Sequence, residues 1–176
     1  PRSTLFPYTT LFRSIDPGYA ITGYGVIAYL GNKLKPLDYG QIATPSSMPF
    51  EYRLLAIFEG IEALIKQWQP DVMACEELFF NNNKTTAIGT AQARGTVLLA
   101  AARHNIPIYE YTPMQVKKAV TGEGRAEKQQ VQMMVRVLLS LRSTPRPDDA
   151  ADALAVAICQ AYTGQLNKFK AVGGYQ

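Results

Sequence analysis

The sequence predicts an α/β fold in which a mixed, five-stranded sheet carries helices on both faces. Two observations lead to this prediction. The first part of the chain alternates β-branched, aromatic and glycine residues, with turn signals at 17–18 and 31–33. The remainder alternates helical stripes with short apolar runs, which is typical of strands joined by helices. A chain of 176 residues is long enough for one domain with a substantial core.

Each predicted element has a local reason. Apolar residues recur at helical spacing along 50–68, and Pro70 closes that stripe. Thr112-Pro113 is a typical helix start. Residues 85–105 are rich in small side chains, which predicts close helix packing inside the fold or across a dimer. The predicted strands are one that ends at Asp16, 21–30, 34–43, 71–76 and 106–111; the predicted helices are 50–68, 85–105, 127–141, 148–162 and one that begins at 113.

Composition narrows the functional classes. With 47% hydrophobic and 18% charged residues, the chain has the composition of a soluble globular protein. No apolar run approaches the ~20 residues that a membrane helix needs. The net charge of +4 mildly favours an anionic partner. Cys75 and Cys159 lie in apolar segments without CxxC spacing, so we expect free, buried thiols.

The first fourteen residues differ in character from the rest. The stretch Thr4 to Ser14 can be back-translated into a common sequencing-adapter oligonucleotide, and we interpret 1–14 as a non-native segment. It holds two arginines and no acid, so the net charge without it falls from +4 to +2. It also places Arg13 and Ser14 where a central strand needs apolar residues. We therefore expect one domain over 15–165, followed by a flexible tail over 166–176.

Four acids are placed as a metal site requires. Asp16 ends a strand just before Pro17-Gly18, and Glu76 ends a later strand. Asp149 and Asp152 are three residues apart, on one face at the start of the last helix. Each acid alone has a structural alternative, a turn, a solvated strand end or a helix cap. Together the four would repel one another unless a cation neutralised them, and oxygen ligands without His or Cys select Mg²⁺ or Mn²⁺.

Five stretches of the chain resemble the RuvC family of Holliday-junction resolvases. They occur in the family's order from Ile15 to about Tyr162: IDPGYAITGYGV, ACEELF, GTAQARG, QVKKAVTGEGRAEKQQVQ and DDAADALAVAI. The resemblance implies an RNase H-like fold and an endonuclease that makes paired, symmetric cuts in a four-way DNA junction. It also implies a cytoplasmic bacterial protein that works in recombination and repair beside a RuvA/RuvB branch-migration complex.

The resemblance also assigns roles to residues. It implies that Asp16, Glu76, Asp149 and Asp152 hold two Mg²⁺ ions, with Mn²⁺ as a substitute. Two ions about 4 Å apart suit an in-line phosphodiester displacement. The helix over 85–105 resembles the family's homodimer interface. Residues expected to contact DNA are Phe79, which would stack on a base, and the cations Lys117, Lys118, Arg125 and Lys128.

Three other functions remain open on the sequence. One is a junction-binding protein of the same fold that is catalytically impaired because its first strand is altered. Another is an RNase H-like nuclease that acts on RNA. The third is a phosphotransferase of the actin and sugar-kinase type, which also uses Asp-x-Gly at a strand turn. Such phosphotransferases need about twice this length and do not need the pair Asp149 and Asp152.

Overall fold

The computed structural model describes residues 10–17, 20–77 and 84–163, and the side chains of 10–17 and 84–86 lie outside this description. The strands are β1 Thr10–Pro17, β2 Ile21–Leu30, β3 Lys33–Ala43, β4 Val72–Glu76 and β5 Ile108–Tyr111. The helices are α1 Phe50–Trp68, α2 Lys84–Arg103, α3 Pro113–Thr121, α4 Lys128–Leu138 and α5 Asp148–Thr163. Element types and chain order agree with the prediction.

The strands form one mixed sheet in the order β3-β2-β1-β4-β5. The first three strands pair antiparallel, whereas β1, β4 and β5 run parallel to one another. Strand β1 is therefore central, with β2 on one side and β4 on the other. This arrangement brings the carboxyl ends of β1, β4 and β5 to the same edge of the sheet.

The hairpin between β2 and β3 is tighter than predicted. Gly31 and Asn32 both have positive φ, at 48° and 67°, and Leu30 pairs directly with Lys33. Two positive φ values are typical of a two-residue type I′ turn, whose twist matches the twist of the flanking strands. Lys33 is therefore the first residue of β3 and not the third residue of the loop.

Two hydrophobic cores cover the two faces of the sheet. Helices α1 and α2 pack on one face, where Ile57, Ile61 and Val97 surround Met73 of β4. Helices α3, α4 and α5 pack on the other, where Leu154 and other apolar residues surround Ala74. Successive strand residues point to opposite faces, so Met73 and Ala74 serve the two cores. The predicted helices on both faces are confirmed.

Strand β5 and helix α4 are shorter than predicted, each because of one backbone feature. Strand β5 begins at Ile108 and not at 106, because Pro107 has no N–H for a ladder hydrogen bond. Helix α4 ends at Leu138 and not at 141, since Ser140 takes a left-handed conformation with φ of 51°. Its start at Lys128 lies one residue after the predicted start.

Strand β1 begins before the predicted domain boundary at residue 15. The backbone of 10–14 pairs with β2, and Phe12, Arg13 and Ser14 also pair with β4. Backbone pairing requires no particular side chain, so this pairing does not test whether 1–14 is native, which stays a prediction. Helix α5 ends at Thr163, close to the predicted boundary at 165, and the predicted tail over 166–176 lies outside the described residues.

A search of the described residues for a helix long and apolar enough to span a membrane finds none.

Candidate active site

The carboxyl ends of β1 and β4 bring two predicted acids to neighbouring positions. Ile15 pairs with Cys75 in the parallel register, and the next residue on each strand is Asp16 and Glu76 respectively. Glu76 is half-buried, as the end of an interior strand should be. For Asp16 the structure describes the backbone alone. The strand register therefore brings the backbone of these two positions side by side.

The amino-terminal end of α5 is packed against β2 at Gly23. A Cβ atom built on Gly23 would lie 2.3 Å from the main-chain oxygen of Asp149, so this approach is possible only for glycine. Gly23 is also the residue that pairs with Asp16 across the antiparallel ladder. Asp149 therefore lies over the strand position that adjoins Asp16, which places the start of α5 at the same edge of the sheet.

Helix α5 displays Asp152 from an otherwise buried segment. Every residue from Ala150 to Ala161 is buried except Asp152, which is half-exposed. The helix packs against β1 and β2, and its alanines permit close contact. Asp152 lies one turn inside the helix, where the role of a helix cap does not account for it.

Lys128, which was predicted to contact DNA, lies beside these acids. Its ammonium lies 3.0 Å from Oδ2 of Asp152 and 3.7 Å from Oδ2 of Asp148. Asp148 in turn accepts a 2.9 Å hydrogen bond from Arg146. The hydrogen bond to Asp152 raises the pKa of Lys128, and the charges of Asp152, Asp148 and Asp149 add to this effect. The start of α5 is thus a region of negative potential that attracts cations.

Asp148 is part of this cluster, although the sequence analysis did not include it in the site. It is the first residue of α5, and it lies four residues before Asp152, so the two carboxylates share one face of the helix. This i, i+4 spacing was the sequence signal that could have placed Asp148 beside Asp152. The contact with Lys128 could not be foreseen, since Lys128 belongs to α4, whereas Arg146 is only two residues before Asp148.

The donor chemistry of the site fits a hard divalent cation. Glu76, Asp149 and Asp152 offer carboxylate oxygens, which are the ligands that a hard cation prefers. The negative potential at the start of α5 already attracts one cation, the ammonium group of Lys128. Among the side chains that the structure describes, no group of three or more His, Cys, Asp and Glu residues has the geometry of a metal site. The predicted four-acid set includes Asp16, whose side chain is outside that search, so the set as a whole stays a prediction.

The other predicted DNA contacts lie on the connected helices α3 and α4. Lys117 is half-buried on α3, while Lys118 and Arg125 are exposed. Helices α3 and α4 pack on α5 through Val116, Val131 and other valines. Within the described part of the chain these three cations form no ion pair, in contrast to Lys128. Phe79 lies outside the described residues.

Arg94 is a residue near the site that the sequence analysis missed. It lies in the middle of α2, is only 8% exposed, and donates a 3.0 Å hydrogen bond to the main-chain oxygen of Glu76. The signal in the sequence was a single charged residue within α2, which carries no other between Lys84 and Arg103. Its contacts join residues far apart in the chain, so their identity could not be predicted.

Comparison with known proteins identifies the family. The family model described as crossover junction endodeoxyribonuclease RuvC matches residues 13–160. A protein of that name from Desulfitobacterium hafniense is 57% identical over 164 residues, which cover 93% of this chain and 98% of the relative. The structure of Thermus thermophilus RuvC superposes with a TM-score of 0.86 at 35% identity, covering 93% of this chain and 100% of that one. The same enzyme in complex with a Holliday junction substrate gives a TM-score of 0.88 at 35% identity, covering 93% and 99%. The chain therefore belongs to the RuvC family of crossover junction endodeoxyribonucleases.

Proposed function

We propose that the chain is a structure-specific endodeoxyribonuclease that resolves four-way DNA junctions by paired, symmetric hydrolysis of phosphodiester bonds. The observation that carries this proposal is the meeting of three elements at one edge of the sheet. The end of β1 adjoins the end of β4, and the start of α5 lies over Gly23 beside them. The named substrate of the Thermus thermophilus complex supports the choice of junction DNA.

Asp16, Glu76, Asp149 and Asp152 would hold two Mg²⁺ ions, for which Mn²⁺ could substitute. Bound there, the ions would activate a water and stabilise the charge on the leaving oxygen. The chain's own contribution is to keep the carboxylates in register on two strands and a helix. Lys128 is tethered between Asp148 and Asp152, where its ammonium can contact a phosphate oxygen of the scissile strand.

The DNA surface would extend from the site along α3 and α4. Lys117, Lys118 and Arg125 would neutralise phosphates, which makes junction binding steeply dependent on salt. Phe79 would stack on a base near the junction, a contact worth about 1–3 kcal/mol. Phosphate contacts position the enzyme, and they leave the choice of cleavage site to the junction's shape and sequence.

A homodimer through α2 would supply the second cut. One face of α2 packs inside the protomer through Ala93 and Ala100, whereas Ile88 and Leu99 are 67% and 62% exposed. These two residues are eleven apart, three helical turns, so they lie on one side of the helix. A two-fold dimer through this side would match the two-fold symmetry of a junction. Partnership with RuvA/RuvB and a bacterial cytoplasmic location follow from the family resemblance.

A catalytically impaired junction-binding protein is the second candidate. The observation that favours it is the composition of β1. Arg13 pairs with both Val26 and Met73, which are 0% and 1% exposed. A charged residue at such a central strand position weakens the strand that carries Asp16.

Paired substitutions test the proposed site. Glu76→Gln removes a predicted ligand, and Asp152→Asn removes another; both should abolish junction cleavage and leave junction binding unchanged. Glu77→Gln is the matched control, since Glu77 is the next residue, is exposed and has no assigned role. Normal cleavage by Asp152→Asn would disprove the site assignment. A linear duplex and an RNA four-way junction, assayed in parallel, separate the resolvase from a general nuclease and from an RNA-directed one.

A further inference from the structure

The guanidinium of Arg94 connects three elements at the edge of the sheet that carries the site. One nitrogen, Nη1, lies 3.0 Å from the main-chain oxygen of Glu76 and 3.3 Å from Sγ of Cys75, both at the end of β4. The other, Nη2, forms an ion pair with the carboxylate of Glu110 on β5. Arg94 itself belongs to α2, so a single side chain ties α2 to two neighbouring strands.

This arrangement is not an efficient source of stability. The side chain of Arg94 is 10% exposed and that of Glu110 is 27% exposed, so both charges lose much of their hydration. A buried ion pair recovers that loss only when its geometry is good, and apolar residues of similar volume often stabilise a fold at least as well. What Arg94 provides that an apolar residue cannot is a directed hydrogen bond to one particular carbonyl group.

That carbonyl belongs to the predicted metal ligand Glu76. The amide of the next residue, Glu77, donates a 2.9 Å hydrogen bond to the main-chain oxygen of Tyr111 on β5. The peptide group between Glu76 and Glu77 is therefore held at its oxygen by Arg94 and at its nitrogen by Tyr111. A peptide fixed at both ends restricts the backbone of Glu76 and therefore the direction of its Cα–Cβ bond.

We propose that Arg94 is a positioning residue for Glu76: it orients the end of β4 so that the Glu76 carboxylate faces the other ligands, and it makes that orientation depend on the seating of α2. The proposal rests on the proposed function of the site. Groups that orient metal ligands through hydrogen bonds usually affect metal affinity by about 10–100-fold. An effect of that kind separates positioning from general stabilisation of the fold.

The test compares Arg94→Gln with Arg53→Gln. Arg53 is also 8% exposed and also donates to a main-chain oxygen, that of Thr44, but it lies beside the edge strand β3, which two other strands separate from β4. Mn²⁺ binding to the free protein, followed by electron paramagnetic resonance, is the first readout. Junction affinity without metal and the Mg²⁺ dependence of single-turnover cleavage are the others.

We expect Arg94→Gln to weaken Mn²⁺ binding about 10-fold and to raise the Mg²⁺ concentration for half-maximal cleavage by a similar factor. Junction affinity without metal should change less than about twofold, and high Mg²⁺ should restore much of the rate. Arg53→Gln should lower the unfolding temperature without changing metal affinity. Equal metal affinity in the wild type and Arg94→Gln would overturn the proposal.

Two further measurements keep the test decisive. If Arg94→Gln does not fold, Glu110→Gln leaves the guanidinium in place without its ion-pair partner, and a smaller loss of Mn²⁺ affinity is expected; no loss overturns the proposal. If the wild-type chain does not cleave junctions, the proposed function fails, whereas the comparison of Mn²⁺ binding still reports on Arg94.

Discussion

Substitution of Gly23 by alanine should disturb the candidate site from the side of the sheet. The added Cβ would lie 2.3 Å from the main-chain oxygen of Asp149 and 2.6 Å from its carbonyl carbon, whereas ordinary contact begins at 3.4 Å. Neither atom belongs to a flexible side chain, so relief requires that the start of α5 move about 1 Å away from β2. Asp149 and Asp152 would move with the helix.

Gly23→Ala should lower both the stability of the fold and the rate of cleavage. Overpacking of this kind destabilises a protein by about 1–3 kcal/mol, and each kcal/mol lowers the unfolding temperature of a chain of this size by about 2–4 °C. Displacement of reacting groups by about 1 Å can lower a rate about 100-fold. We therefore expect Gly23→Ala to remain folded at 25 °C, to bind junctions normally and to cleave them about 100-fold more slowly.

The assay is single-turnover cleavage of a labelled junction, with thermal unfolding followed by circular dichroism. Gly60→Ala is the matched control, since the three atoms nearest to its added Cβ would be Cδ1 and two Cγ atoms of the Ile42 side chain, on the opposite face of the sheet from α5. That side chain can adjust, and alanine favours the helix by up to about 1 kcal/mol. Wild-type cleavage and unfolding temperature in Gly23→Ala would refute the packing argument.

Three further predictions concern charge and burial. Lys128→Met should weaken junction binding and make the slope of log affinity against log salt shallower by about 0.9, as measured by fluorescence anisotropy, whereas Lys33→Met at the distant hairpin should leave the slope unchanged. Hydrogen bonds from Lys66 and, to a smaller extent, from His104 lower the pKa of Glu62 below its usual value of 4.5. The stability that these bonds confer is therefore present above pH 4.5 and is lost as the pH falls through the pKa of Glu62 in the folded protein. Urea unfolding should thus show the wild type more stable than Glu62→Gln at about pH 5.5 but not at about pH 3, and a difference that does not vary with pH would contradict this. Burial raises the pKa of the Cys159 thiol to about 11, and the residues Cys159 and Cys75 are 0% and 2% exposed, so a disulfide reagent should modify neither thiol in the native protein and both after unfolding.

Much of the fold could be predicted because its signals are local. The stripe that contains Ile57, Ile61 and Ile65 indicated a helix with one buried face, and those residues do form the core between α1 and the sheet. The free, buried state of both cysteines, which are unpaired in the structure, followed from their apolar surroundings. The exact ends of β5 and α4 depend on single backbone features at Pro107 and Ser140, to which periodicity is insensitive.

The candidate site was less fully predictable. Strand ends and helix starts can be located from sequence, which is why Glu76, Asp149 and Asp152 were predicted to belong to one site. Whether Lys128 approaches them depends on how the start of α4 packs against the start of α5, and so its contact with Asp148 was missed. Arg94 was missed for the same reason, since its partners lie on β4 and β5.

Cleavage of a synthetic, end-labelled four-way junction, with and without Mg²⁺ and beside a linear duplex of the same sequence, tests the central claim most directly. The account predicts paired nicks at symmetric positions, only in the junction and only with the metal. Cleavage of the linear duplex at an equal rate, or junction cleavage that persists in excess chelator, would contradict it. Tight junction binding without any cut would also contradict the claim of catalysis and would favour the impaired junction-binding protein.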